Sequence, residues 1–382
     1  MERNLCKYFE RYADSTSLNR WLKALNKYRF SHSCVVPVRR ESLHLPILLE
    51  SCEEASAHTQ PLIVLVINSS EGSSDQEMAE QSQTMTGLSS QFDVLEKGED
   101  YALLRKSNLS LFVIDRWSKS RQFMKTQGVG AARKLGCDLA SLLITKGNVQ
   151  SQFILSTDAD AVVPSDYFLA TDGLSQNVSL GYFSFRHHLE GSENQRSAME
   201  LYERWLLHYV EGLTSAQSPY AVPALGSIYA INSSSYVKAR GFPDRLAAED
   251  FYLMNKLLKL GEPKHLSTRH PIRLSGRISH RTPFGTGPSV AQWLEIDDRE
   301  AQRIFYHPRC FEALGMFLKG QWSQLPPSLL QSMHTPQLDL SHPQKFHERF
   351  DALKTLKFIH YLRDHCFPSL SLQELLQWRK VA

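Results

Sequence analysis

The sequence predicts an α/β fold: a mostly parallel sheet flanked by helices, with helical extensions at both ends. Two observations predict it. Short apolar, β-branched runs at Ser33–Val38, Leu62–Ile67, Leu111–Ile114 and Phe153–Thr157 have the length and composition of buried strands. Between them, Leu43–Ala57 and Gly130–Ile144 read as helices, and strands alternating with helices build crossover units of a parallel sheet.

In chain order, residues 1–30 form a helical lead-in, because Tyr8, Phe9, Tyr12, Leu18, Trp21, Leu22 and Leu25 recur near helical spacing. The first strand ends at Pro37-Val38 and the second at Asn68-Ser69-Ser70. The Ser/Gln/Glu-rich stretch 69–91 is polar and predicts a surface helix with loops. Tyr182–Phe185 and Ile228–Ile231 read as later strands, with a Trp/Tyr-rich helix near 197–213 between them. Its Tyr202, Trp205 and Tyr209 have the spacing of core aromatics. Glu249–Leu260 is a helix stopped by Gly261. Residues 271–288 hold three Gly and three Pro and predict a loop; from about 291 the pattern is helical, with Pro326-Pro327 as a break. The expected domains are therefore 1–30, 31–290 and 291–382.

Bulk composition excludes several classes. Forty-three basic against 40 acidic residues leave a net charge of +3, too balanced for a nucleic-acid binder. No apolar run reaches the roughly 18 residues of a membrane span, and Arg3, Lys7, Glu10 and Arg11 give the start no secretory character. The six cysteines, at 6, 34, 52, 137, 310 and 366, lack zinc or redox spacing. Those at 34, 52 and 137 read as small core residues, and a reducing cytoplasm is the expected compartment.

Three groups carry chemistry. Asp158-Ala159-Asp160 follows a strand directly, and residues two apart on extended chain point to one side. Such a pair suits a hard divalent cation completed by phosphate and water; a solvated, capped turn has the same sequence. Glu249-Asp250 opens a helix with Asp250 on the apolar stripe of Met254 and Leu257. It is placed to act as a general base, although acids also favour a first turn for the macrodipole alone. Arg273, Arg277 and Arg281, set among glycines with His280, suit an anion, as a solvated loop would also read.

In this order the motifs resemble those of family-2 glycosyltransferases with the GT-A fold. Val35-Val36-Pro37-Val38-Arg39-Arg40-Glu41 is similar to the family's first strand and its Asn-Glu, with Arg40 in the Asn position. Val66-Ile67-Asn68-Ser69-Ser70 is similar to the end of its second strand, with Ile67 where a base-contacting Asp is usual. Gly128–Gly136, containing Arg133-Lys134, resembles the helix before the metal motif, and Asp158-Ala159-Asp160 with Pro164 and Tyr167 resembles that motif. Gly226-Ser227, Gly241-Phe242 and Glu249-Asp250 resemble the acceptor-side positions and acidic pair. The Gln-x-x-Arg-Trp motif of processive members is absent from the sequence. The resemblance spans residues 32 to about 290.

The resemblance implies a nucleotide-binding sheet and a non-processive, inverting transfer from a nucleotide-diphosphate sugar to an acceptor hydroxyl whose carrier the motifs do not specify. It implies donor contacts from Pro37, Val38, Glu41, Asn68, Arg133, Asp158, Arg277 and Arg281, and acceptor-side roles for Gly226 and Ser227. Mg²⁺ or Mn²⁺ would sit on Asp158 and Asp160; His280, in the arginine loop, reads either as a further metal ligand or as polar filler. Asp250 would be the base, with Glu249 beside it. A nucleotidyltransferase that makes nucleotide sugars, and a catalytically degenerate binding module, are the rival readings.

Overall fold

The structure is a computed structural model that describes residues 2–189, 191–243, 245, 248–277, 286–296, 298–321, 323, 325 and 350–381. They fall into two compact units, Met1–His188 with Ala224–Ser275, and Leu189–Pro223 with Gly276–Ala382.

The first unit is built on a nine-stranded sheet. Its strands are β1 (Ser33–Val38), β2 (Leu62–Asn68), β3 (Asp93–Lys97), β4 (Tyr101–Lys106), β5 (Leu109–Arg116), β6 (Phe153–Ser156), β7 (Val178–Phe183), β9 (Tyr229–Asn232) and β10 (Glu262–Leu266). The order is β10-β7-β9-β6-β1-β2-β5-β4-β3. Only β4 and β9 run against the rest. A separate pair joins β8 (Phe185–His188) to β11 (Ile272–Ser275) in parallel.

The chain winds from β1 outward to β2 and returns to the other flank of β1 as β6. That is the reversal at which open α/β sheets leave a crevice beyond their carboxyl ends. The ladder explains the opening. β2 follows β1 through Val38↔Ile67, whereas β6 pairs only with Ser33, Cys34 and Val35. Pro37, which has no N–H to give a ladder, lies past the last β6 pair.

Helices α3 (Leu45–Ala55), α4 (Asp75–Gln91), α5 (Val129–Thr145), α7 (Ser233–Lys238) and α8 (Glu249–Leu257) accompany the sheet. α5 packs on β1 and β2 through Gly136, where an added Cβ would lie 2.4 Å from Val35 Cγ1. The lead-in belongs to this unit. It forms α1 (Glu2–Arg11) and α2 (Ser15–Leu25), and Trp21 and Leu25 are fully buried. Tyr8 and Tyr236 donate to Asp138 Oδ1 at 2.5 and 2.7 Å, and Lys134 Nζ donates to Oδ2 at 2.7 Å. Burial pushes the Asp138 carboxyl up, against the pull of Lys134 and the two hydroxyls.

The second unit is helical: α6 (Glu193–Ser215), α9 (Thr286–Leu294), α10 (Pro308–Leu318), α11 (Ala352–His365) and α12 (Leu372–Val381). Phe311, Leu314, Phe317, Phe350, Phe358 and Leu362 lie in its core. Tyr202 is buried, with its ring against Trp205 and Trp293, so the aromatic helix is core. Cys34, Cys52 and Cys137 are buried free thiols. No described helix is long and apolar enough to cross a membrane.

Several sequence expectations are corrected. β3 and β4 carry mixed charged and apolar residues near the sheet edge, so no continuous apolar run announces them. Tyr182–Phe185 is two strands that part at Ser184. Ile272–Ser275, expected in a loop, is a strand that buries Ile272 and Leu274 and exposes Arg273, a period-2 pattern hidden beside the Gly and Pro. The helix from Glu249 ends at Leu257 rather than Leu260. The Pro326-Pro327 break lies outside the described residues.

Gly136→Ala is expected to destabilise the first unit by about 1–3 kcal/mol through overpacking against Val35. A lowered urea midpoint at unchanged slope checks this; an unchanged midpoint contradicts the close approach of α5.

Candidate active site

The site starts where β6 leaves the sheet. Thr157 N donates to Val35 O at 3.2 Å, and the chain then turns, with Ala161 N donating to Asp158 O at 3.2 Å. Asp158 and Asp160 are partly exposed, while Ala159 and Ala161 are buried. The strand has ended at Ser156, so a turn rather than the alternation of extended chain leaves both aspartates partly exposed. The turn is anchored by β11: Val162 N donates to Arg273 O at 2.8 Å and Arg273 N to Val162 O at 3.0 Å. The backbone N–H of Arg273 is thus spent on this bridge, while its side chain is exposed.

Beneath the turn lies Arg133, projected from the second turn of α5 and 4% exposed. Its Nη1 donates to Ser156 Oγ at 2.8 Å and to Gly226 O at 3.2 Å. Its Nη2 donates to Asp158 Oδ1 at 2.5 Å. Its Nε faces Glu249 Oε1 at 3.5 Å. Burial opposes the charge of Arg133, but Asp158, Glu249 and Asp250 outweigh it and push its pKa up. The expected donor contact is therefore better described as an organiser, since protein groups occupy this guanidinium.

The acidic pair opens α8. Ala248, just before it, has φ +59° and offers no side-chain cap; left-handed backbone costs a non-glycine residue about 1–2 kcal/mol. Glu249 is 5% exposed. Its carboxyl is pushed up to about 7 by burial and by the charge of Asp250, against the pull of Arg133. Asp250 is partly exposed, and its carboxyl is also raised by burial, while Arg133 and two backbone N–H groups pull it down. Those N–H groups are Gly226 N to Oδ2 at 3.1 Å and Phe251 N to Oδ1 at 2.7 Å. Close packing requires glycine at two points. A Cβ on Gly226 would lie 3.2 Å from both Arg133 Cζ and Asp250 Cβ, and one on Gly130 would lie 3.0 Å from Glu249.

The structure thus gathers Asp158, Glu249, Asp250, Gly226 and Arg133 around one guanidinium. Ser227 is buried next to Gly226. Pro37 and Val38 are buried in β1, and Asn68 Nδ2 donates to Val38 O at 3.1 Å and to Val66 O at 3.0 Å, tying the two strand ends together. Glu41 is buried beside His44 Nδ1 at 3.2 Å. Arg40 has φ +56°, a conformation that Asn adopts more readily. Ile67 is fully buried. Of the two adjacent histidines on β8, His187 is buried and His188 exposed. Arg277 falls in the second unit, and His280 and Arg281 lie outside the described residues.

Among the described residues, no group of three or more His, Cys, Asp or Glu is set to hold a metal by itself. Two carboxylates fit a different kind of site, because Mg²⁺ commonly takes one or two and completes its shell with phosphate and water. The Asp158 side chain is 40% exposed, which leaves it open to such sharing. Sequence reasoning missed the link from Arg133 to Ser156 and Asp158. No local pattern joins residues 133, 156 and 158 before the sheet brings helix and strand together.

Glu249 makes stability depend on pH. Its folded pKa exceeds that of an ordinary Glu, so the folded state holds the extra proton. The contribution is whole below the ordinary value, 4.5, and is lost as pH rises through about 7. This amounts to about 3 kcal/mol at most. Glu249→Gln is expected to flatten the fall in urea stability between about pH 5 and pH 8. A variant with the wild-type slope would contradict the buried, proton-holding role.

No protein-family model matches the chain, and no curated protein does. Among solved structures, the chain is similar to residues 1–349 of TarS from S. aureus, with 15% identity, 87% of each chain covered and a TM-score of 0.38. It is also similar to the mannosyltransferase PcManGT from Pyrobaculum calidifontis, solved with GDP-Man and Mn²⁺. That match has 12% identity, covers 100% of this chain and 91% of the other, and has a TM-score of 0.40. Likeness of that degree is remote, and function is argued from the site's own residues.

Proposed function

We propose that the chain is a non-processive, family-2-like glycosyltransferase of GT-A type. It moves a sugar from a nucleotide-diphosphate donor to an acceptor hydroxyl with inversion and works with Mg²⁺ or Mn²⁺ in the cytoplasm. The observation that carries this reading is the pair of solvent-side carboxylates at the sheet's switch point, joined through buried Arg133 to a second acidic pair. A binding module has no need of that second pair.

In this reading Asp158 and Asp160 would hold the cation, which when bound supplies charge neutralisation for a leaving diphosphate. The chain's own residues do the rest. Arg133 fixes Asp158 through Oδ1. Asp250 takes the acceptor's hydroxyl proton on a carboxylate oxygen. Its two oxygens are already oriented by Gly226 N and Phe251 N, and each retains acceptor capacity for a substrate O–H. Burial raises its basicity, which favours a general base. Glu249 is too enclosed to meet an acceptor. When protonated, it relieves the repulsion that ionised Asp250 would otherwise meet.

Asp250→Asn is expected to lower transfer by at least about a hundredfold while leaving binding of a nucleoside diphosphate with Mn²⁺ intact by calorimetry. Asp160→Ala is expected to lose both the Mn²⁺ titration and transfer. Near wild-type transfer by Asp250→Asn removes the base assignment, and an unchanged Mn²⁺ titration in Asp160→Ala removes the metal site.

A further inference from the structure

A pocket of about 420 Å³ opens between the N-terminal helices and α5; Tyr12, Arg116, Arg121, Gly130, Lys134 and Pro243 are among the residues that line it. The lining cations have carboxylate partners: Arg116 with Asp14, Arg121 with Asp115 and Glu99, and Lys134 with Asp138. The cations at its rim are different. The Arg240 guanidinium lies over the Tyr12 ring at 5.4 Å, and that of Arg245 over the Tyr252 ring at 3.9 Å. Both arginines are exposed, and among the described residues neither has a carboxylate within salt-bridge reach.

Both belong to this pocket by geometry. Tyr12 is one of its walls, and the Arg245 carbonyl lies 3.4 Å from where a Cβ on Gly130, another wall, would stand. Lys256 joins them by donating to Ala239 O at 3.1 Å, one residue before Arg240. Burial, and the like charges of Arg240, Arg245 and Lys134, push the Lys256 ammonium down, as expected where cations converge. Gly130 and Ala131 bring the first turn of α5 to the same wall, with no acidic residue there and no side-chain cap.

Arg240, Arg245 and Lys256, beside the pocket rather than in its lining, repel one another and Lys134, and rings satisfy a guanidinium face but not its N–H donors. An anion with several oxygens meets both needs, through charge-assisted hydrogen bonds to guanidinium forks. We infer that this pocket binds a phosphate group, held by Arg240 and Arg245 with Lys134 and Lys256, at a site separate from Asp158 and Asp160. The inference does not rest on sugar transfer. A phosphate placed there would have no carboxylate among its proposed contacts. Two acids do line the pocket: Asp138 is buried under Tyr8, Tyr236 and Lys134, and Asp14 is paired with Arg116.

The test is calorimetric titration of the full chain with inorganic pyrophosphate in EDTA, which silences any cation-dependent binding at the aspartate pair. A single saturable site is expected. Arg240→Ser combined with Arg245→Ser, both at exposed positions, is expected to weaken it by about tenfold or more, and Asp160→Ala is expected to bind as wild type. Lack of saturable binding by the wild type overturns the inference. So does wild-type affinity in the double variant, or loss of binding in Asp160→Ala, which would assign the ligand to the other site.

Discussion

The site depends on one buried cation. Arg133 is almost without solvent, and burying an unpaired guanidinium would cost several kcal/mol. The chain avoids that cost by placing three carboxylates around it, from Asp158, Glu249 and Asp250. Each comes from a different place in the sequence than the arginine, so the charge balance exists only in the folded sheet. The dependence runs both ways. Without Arg133 the three acids would repel one another. Without the acids the arginine's charge would stand buried and unpaired between α5 and the sheet.

This balance explains the uneven state of the acidic pair. Glu249 is enclosed and takes the cost of burial as a raised pKa. Asp250, one residue on, meets solvent and receives two backbone N–H groups. Adjacent positions on a helix point about 100° apart, so one carboxylate is enclosed while its neighbour is partly exposed. Tight backbone secures the difference. A Cβ on Gly226 would crowd Arg133 and Asp250 at 3.2 Å, and Ala248 holds a left-handed turn so that the helix begins at the acids.

Much of this was legible in the sequence. The apolar runs of β1, β2, β5 and β6 announced the parallel core, and the strand end before Asp158 was readable from the last of these runs. The edge strand β3 and its neighbour β4 were not, since both mix charge with apolar residues. β11 was hidden by its Gly- and Pro-rich neighbours, although Ile272 and Leu274 alternate with Arg273. The role of Arg133 could not be read either. A helix arginine next to Lys134 looks like a solvated pair; only the packing of α5 on β1, with Gly136 at the contact, brings the first to Asp158 and the second to buried Asp138. Ile67 is plain in hindsight, an apolar side chain wholly inside the sheet.

The central claim is that Asp158 and Asp160 together grip a divalent ion at the mouth of the sheet. Anomalous diffraction at the manganese edge, from crystals grown with Mn²⁺ and a nucleoside diphosphate, tests it most directly. The account predicts one strong peak touching an oxygen of each aspartate and the terminal phosphate, with Arg133 still on the far oxygen of Asp158. A diphosphate seated elsewhere, or an aspartate pair turned apart with no peak between them, would contradict it.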